Sequence, residues 1–330
     1  MKKTQIYSKA IYQAFHDLLK NRKDVVILGQ GLWSPWYVGS TMNDLEKKFG
    51  KDRVIDTPVS EAAVTGMAIG ASLFKLRPIV VHPRMDFMLL ATDSIINEAT
   101  KWKYILGGAS NVKITIRSII NRGGEQGAQH SQSLYSMFAN IPGIDVLLPS
   151  NPQDAYDMLV GSVLSDRPSM YIDDKWLYNE IGIFKKNKIN KNFIKNIKPK
   201  TLIKGKDLTI VTLSYGVKFS KELIKELKLK KKISIELIDL RKINDIKDAV
   251  IIKSVKKTKR LVVIDFGWKN CSISGEIISR CSEKLSNKTT FSSMRYTLPD
   301  TPAPTNKLLE KNYYLDSKKI AQDIIRNIFK

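Results

Sequence analysis

Cysteine, histidine and arginine are all scarce in this chain of 330 residues. The two cysteines, Cys271 and Cys281, form no CxxC pair. Their scarcity excludes a disulfide-stapled scaffold or a zinc ribbon and suits a reducing cytoplasm. The three histidines, His16, His82 and His130, are dispersed, and nowhere do His, Cys, Asp and Glu cluster with zinc or calcium spacing. No apolar run approaches the roughly 18 residues of a membrane helix. The start, Met1-Lys2-Lys3, is basic but leads into no apolar segment, so neither a secretion signal nor a membrane location is expected. There is no GxGxxG after a strand pattern and no GxxxxGK[ST], so nucleotide binding by this chain alone is not signalled.

Charge is present in excess: 55 Lys plus Arg stand against 32 Asp plus Glu, a formal net charge of +23. Only 12 of those basic residues are Arg, the residue that supplies most bidentate phosphate and base contacts. The lysines are interleaved with Asn and Ile, as in Lys185-Lys186-Asn187-Lys188-Ile189-Asn190-Lys191-Asn192. That mixture reads as biased composition at tolerant surface positions, and a nucleic-acid partner is not expected.

The 43% hydrophobic residues suffice for a sizeable core, and the length suggests about two domains. Ala10, Ile11, Ala14, Phe15, Leu18 and Leu19 share one helical face. Short apolar runs at 25–28, 53–56, 78–81, 112–116, 146–148 and 169–172 alternate with helical patterns at 59–74, 88–104 and 155–164. Thr57-Pro58 offers a capping hydroxyl and a first-turn proline for the helix at 59–74. In that helix Gly66 and Gly70 share a face, so another helix could approach closely. Residues 184–206 hold nine lysines and no acid, with little periodicity, and read as an exposed connection. Alternation resumes with strands at 208–213, 233–240 and 261–266 and helices at 217–228, 247–255, 273–285 and 317–328. The expected class is α/β: two domains, each a mainly parallel sheet flanked by helices. The expected bounds are 1–182, a lysine-rich linker 183–206, and 207–330.

Few residues could carry chemistry. His130 sits in a Gly-rich loop among Gln129, Ser131 and Gln132, whereas His16 lies on an amphipathic helix as a surface or boundary group. His82 closes a strand beside Pro83 and Arg84, where a buried structural role and a site role are both open. Glu61 opens a helix, a position the helix dipole favours for a carboxylate. The neighbours Ala62, Ala63 and Val64 are apolar, and a carboxyl in such surroundings can share a proton with a ligand.

The run Arg53-Val54-Ile55-Asp56-Thr57-Pro58-Val59-Ser60-Glu61, with Gly66 and Gly70, resembles the β subunit of the E1 component of 2-oxoacid dehydrogenases. So do Leu76-Arg77-Pro78, Asp86-Phe87, Gly127-Ala128-Gln129-His130-Ser131-Gln132, Pro142-Gly143 and Pro149-Ser150. Asp265-Phe266-Gly267-Trp268, Gly275-Glu276-Ile277 and Leu298-Pro299-Asp300-Thr301-Pro302-Ala303-Pro304 continue the likeness over almost the whole chain. His82-Pro83-Arg84-Met85-Asp86-Phe87 looks closest to a branch found with carbohydrate gene clusters.

The resemblance implies a thiamine diphosphate-binding pyrimidine domain followed by a transketolase C-terminal-like domain. It implies that Glu61 hydrogen-bonds N1′ of the cofactor's aminopyrimidine, so that C2 of the thiazolium can be activated. Phe87 matches the aromatic stacked on the pyrimidine. His130 matches the histidine that binds substrate or passes a proton. Gln30 stands on the cofactor side where the family commonly has an acid; it can hydrogen-bond but not ionise. Arg84 has no usual counterpart and is offered, with His82, as a substrate contact. The family's GDG…N sequence for diphosphate and Mg²⁺ belongs to an α subunit, and no GDG occurs here. The implied unit is therefore a cytoplasmic α₂β₂ heterotetramer acting on a small 2-oxo acid, with a lipoyl-bearing E2 acyltransferase as a further partner. Asn244-Asp245-Ile246-Lys247 departs from the family's pattern in the second domain, which bears on that E2 contact. The alternative is a transketolase-like or acyloin-forming carboligase subunit in carbohydrate biosynthesis; a third reading is a non-catalytic polyanion-binding relative.

Overall fold

A computed structural model describes residues 3–286 and 289–329. Residues 1 and 2, the first part of the basic start, lie outside it. The chain divides into two compact units, one of residues 1–122 with 137–197, the other of 123–136 with 198–330.

The first unit contains β1 (Thr4–Ile6), β2 (Val25–Gly29), β3 (Val54–Asp56), β4 (Arg77–His82), β5 (Thr115–Ile120), β6 (Asp145–Leu147), β7 (Ser169–Asp174) and β8 (Ile181–Ile183). Six of them form one sheet in the order β3-β2-β4-β5-β7-β6, parallel throughout. Its strands are apolar runs because both faces are covered. The helix Tyr7–Asn21 buries Ala10, Ile11, Ala14, Phe15, Leu18 and Leu19, the face its periodicity marks, and packs on the helix Pro152–Leu164. Asn151 starts the latter, its side-chain oxygen accepting from Asp154 N at 3.0 Å. His16 is half-buried, with Asp17 at 3.4 Å and the Phe49 ring edge-on.

The second unit contains β9 (Lys200–Ile203), β10 (Leu208–Thr212), β11 (Ile235–Asp239), β12 (Arg260–Trp268) and β13 (Ser292–Leu298). They form a mixed sheet ordered β13-β12-β10-β11-β9, in which only β9 runs antiparallel to its neighbour. The helices Ile273–Leu285 and Ser317–Ile328 lie where the pattern puts them. The two-domain α/β expectation is met.

Three local expectations change. Residues 183–206 are not a structureless exposed connection: Ile183 pairs with Thr4, Ile194 and Ile197 are buried, and β9 is a sheet edge. The helix expected at 88–104 is instead a 3-10 turn Phe87–Ala91, a π-helical turn Ser94–Ala99 and a short α-helix Trp102–Ile105. Thr100 supplies the reason: its hydroxyl donates to Ile96 O at 2.7 Å, and its N–H reaches Ile95 O at 3.2 Å. The side chain takes the carbonyl that the backbone would have used, and the turn widens. The helix after β3 begins at Glu61, not at Thr57-Pro58: Thr57 N donates to Gly29 O at 3.0 Å, and a bend at Val59 precedes the helix.

Candidate active site

In a parallel α/β sheet, ligands gather where the strands end at their carboxyl edge. The first unit's candidates are distributed that way: Gln30 follows β2, Glu61 follows β3, His82 ends β4, and Arg84 and Phe87 come next. Gln30, Glu61 and His82 line one small cleft with Thr57, Pro58, Val80 and Pro83. Gly29 forms part of its wall, and a Cβ there would stand 2.4 Å from Val81 O, so only glycine lets β2 and β4 pair this closely at the cleft.

Each of the three groups is held differently. Glu61 is the first residue of the helix Glu61–Leu73, half-buried at the positive end of the helix dipole. Ser60, just before it, makes no side-chain cap. The Gln30 amide donates to Tyr37 Oη at 2.7 Å. His82 is almost wholly buried, its Nε2 3.4 Å from Thr65 Oγ1, and burial pushes its pKa down to about 4. It is a neutral imidazole that fills the core and borders the cleft.

Phe87 starts the 3-10 turn that packs against the Glu61 helix, and is 39% exposed. Arg84 lines a neighbouring cavity. His130 belongs to the segment 123–136 of the second unit, where Glu125 N donates to Glu310 and Tyr135 Oη to Asp265. The outward face of the Glu61 helix is apolar and uncovered by described residues: Ala62, Ala63, Gly66 and Met67 are exposed. A Cβ on Gly70 would meet nothing within 4 Å, and one on Gly66 only Ser94 Oγ at 3.9 Å. The turn Ser94–Ala99 packs on the Gly66 side of the helix, whereas among the described residues none approaches Gly70.

The same unit holds a buried charge network that sequence reading missed. Arg117 in β5 is fully buried and donates to both carboxylate oxygens of Asp173 in β7, at 2.9 and 2.8 Å. It also donates to Thr41 Oγ1 at 2.9 Å and Tyr178 Oη at 3.2 Å, while Tyr178 Oη donates to Asp173 at 2.6 Å. Burial opposes the Arg117 charge, but the facing Asp173 carboxylate outweighs it and keeps the guanidinium charged. Gly39, at φ +64°, lies so close that a Cβ would overlap the Tyr178 ring at 2.1 Å. The network thus seats the loop 30–44, which carries Gln30 and Tyr37. The available signal was one arginine in β5 and two aspartates closing β7, in strands with no other charge.

A larger cavity of about 830 Å³ lies elsewhere in the unit, bordered by Thr100, Gly108, Asp145, Asp166, Arg167 and Lys191. It contains none of the candidate residues. Its charges are largely engaged with one another, Arg167 with Asp145 at 3.2 Å and Asp166 with Lys113 at 3.3 Å.

The order of these elements has a known counterpart. Residues 3–179 match the transketolase pyrimidine-binding domain and residues 198–320 the transketolase C-terminal domain, which defines a transketolase-type chain. A split-gene transketolase, solved as an inactive β4 tetramer, superposes with a TM-score of 0.75 at 16% identity, covering 98% of each chain. At that identity the likeness concerns the fold. Two relatives of similar length go further. The β subunit of acetoin:2,6-dichlorophenolindophenol oxidoreductase of Bacillus subtilis is 31% identical over 95% of this chain and 94% of its own. The mitochondrial pyruvate dehydrogenase E1 β subunit of Saccharomyces cerevisiae is 30% identical over 98% and 88%. The chain belongs to the family of β subunits of 2-oxoacid dehydrogenase E1 components.

Proposed function

We propose that this chain is the β half of a thiamine diphosphate-dependent E1 that decarboxylates a small 2-oxo acid oxidatively. The observation that carries the proposal is the convergence of Glu61 and Gln30 on one glycine-walled cleft beside an uncovered apolar helix face. The donor set fits the cofactor's pyrimidine end: a carboxylate at a helix start, an amide, and an aromatic on the adjoining turn. When bound, thiamine diphosphate supplies the carbon nucleophile and electron sink that loss of carbon dioxide requires. Glu61 exchanges a proton with the ring nitrogen, Gln30 orients the ring edge, and Phe87 offers its face. His82 and Arg84 contact substrate, and His130 handles a proton at the reacting carbon.

The proposed working unit is a cytoplasmic α₂β₂ assembly. The α subunit holds the diphosphate and Mg²⁺, and a lipoyl-bearing E2 is the acyl acceptor. The missing GDG sequence and the open space over Gly70 support a partner that covers this face. Residues 3–179 supply the pyrimidine-binding part, and the C-terminal part begins near 198, with β9 as its edge strand. The test is reconstitution with a candidate α chain. Thiamine diphosphate should bind tightly only to the pair, and a panel of 2-oxo acids should yield an acyl group on a lipoyl domain. Tight binding by the β chain alone would sink the shared site, and a C–C product formed without lipoyl would replace the dehydrogenase by a carboligase.

A further inference from the structure

Next to the Glu61 cleft lies a second cavity of about 120 Å³, lined by Trp36, Tyr37, Arg84, Asn121, Lys175 and Tyr178 among others. Pro83 borders both spaces, and the 2.7 Å bond from Gln30 to Tyr37 joins their walls. The volume equals about four waters at roughly 30 Å³ each, room for a carboxylate or a phosphate and little more.

Its electrostatics are one-sided. Arg84 is half-buried, and the polar group facing it is a neutral one: the Asn121 amide, whose oxygen accepts from the guanidinium once the amide is oriented to suit it. Lys175 stands on the rim at the end of β7. Dehydration and, after it, the Arg84 charge lower its ammonium below the ordinary range. Among the described residues no acid forms an ion pair with either cation. The nearest acids in sequence to Lys175 are engaged: Asp173 binds Arg117, and Asp174 binds Arg122 and accepts from Trp176 N at 3.0 Å. Two adjacent cations without a counter-ion repel each other and work against the fold, so their retention calls for an anion from outside.

We infer that Arg84 and Lys175 bind an anionic group, a carboxylate or a phosphate ester, that the 2-oxo acid substrate carries in addition to its reacting carbonyl and departing carboxylate. This assignment rests on the function proposed above. The cavity is separate from the Glu61 cleft, which argues for a group that stays on the molecule. A guanidinium on the departing carboxylate would stabilise the ground state that must be lost, whereas on a retained anion it orients substrate through the whole reaction. The site therefore selects 2-oxo acids with a second negative charge.

The full-length chain can be titrated with inorganic phosphate and with succinate at constant ionic strength, using Trp36 fluorescence and calorimetry. Saturable binding of at least one probe is expected, and the tighter one identifies the group. Arg84→Gln should weaken it about tenfold or more and Lys175→Gln about three- to tenfold, from loss of charge-assisted hydrogen bonds. Arg84→Lys, which keeps charge without the fork, should fall between. Lys23→Gln, an exposed charge elsewhere, should change nothing. Absence of saturable binding, or equal affinity in the Arg84→Gln and Lys23→Gln chains with unchanged melting, overturns the pocket. With the α partner, the ratio of kcat/KM for 2-oxoglutarate to that for pyruvate should fall about tenfold in Arg84→Gln; an unchanged ratio also overturns it. If no 2-oxo acid is turned over while anion binding tracks Arg84, the enzymatic reading fails and the pocket stands.

Discussion

Arg117 and Arg84 sit in the same unit of the molecule and meet opposite treatment. Arg117 is sealed inside the sheet with a bidentate carboxylate, a hydroxyl and a phenol around it. Arg84, beyond the end of β4, has a neutral amide and a neighbouring ammonium. A buried charge satisfied within the chain determines shape and stability. A charge at the carboxyl edge with no ion-pair partner among the described residues adds nothing to stability and, on the proposal above, serves a ligand. Glu61 belongs with Arg84 in this respect, and His82 stands between the two kinds.

The sharpest break of that comparison is Glu61→Gln. Turnover of the reconstituted enzyme should fall by about 10²–10⁴-fold, the usual range for a lost proton-transfer group, while the melting temperature of the free chain stays nearly constant. Retained activity would remove Glu61 from the mechanism, and a large loss of stability would place it with Arg117.

Arg117→Leu should do the reverse. It leaves Asp173 buried and uncompensated, at a cost of about 3–5 kcal/mol in urea unfolding. Replacing both by Arg117→Met and Asp173→Leu should recover much of that loss. If the single change proves neutral, the network is not what seats the loop 30–44.

His82 gives a pH-dependent effect. Its folded pKa of about 4 lies below the ordinary 6.5, so the unfolded chain binds the proton more readily. Its contribution is complete above pH 6.5, declines as pH falls, and is gone below about 4; the total is on the order of 3 kcal/mol. His82→Gln should flatten the stability profile between pH 6.5 and 4, and an unaltered slope there would show that another group titrates.

The smallest effect concerns the open helix face. Gly70→Ala should leave the free chain unchanged or stabilise it by up to about 1 kcal/mol, since nothing lies within 4 Å and glycine is a poor helix former. The same change should weaken assembly with the α partner, measured by sedimentation. Equal assembly would leave the glycines without a role.

The parts read from sequence and the parts missed divide along a physical line. The helices Ile273–Leu285 and Ser317–Ile328 were legible because one apolar stripe recurs from end to end. The turn at Ser94–Ala99 was not, since it depends on one threonine hydroxyl competing for a carbonyl. Strand β9 was obscured by lysines, which an edge strand tolerates and a central one does not. In the site, Glu61 could be picked out because a local pattern surrounds it: a strand, a turn with proline, then a small-residue helix. Lys175 and Asn121 have no local signature.

Sequence by itself determined the alternation of strands and helices, the family, and the place of Glu61 at the start of its helix. These follow from periodicity and from motifs contiguous in the chain. Tertiary structure decided which charges are spent and which remain open. Parallel pairing of β4, β5 and β7 brings residues distant in sequence to one edge, where Asp173 and Asp174 are taken up by arginines and Arg84 and Lys175 are left to share a cavity. That partition is a property of strand register, and no window of sequence contains it.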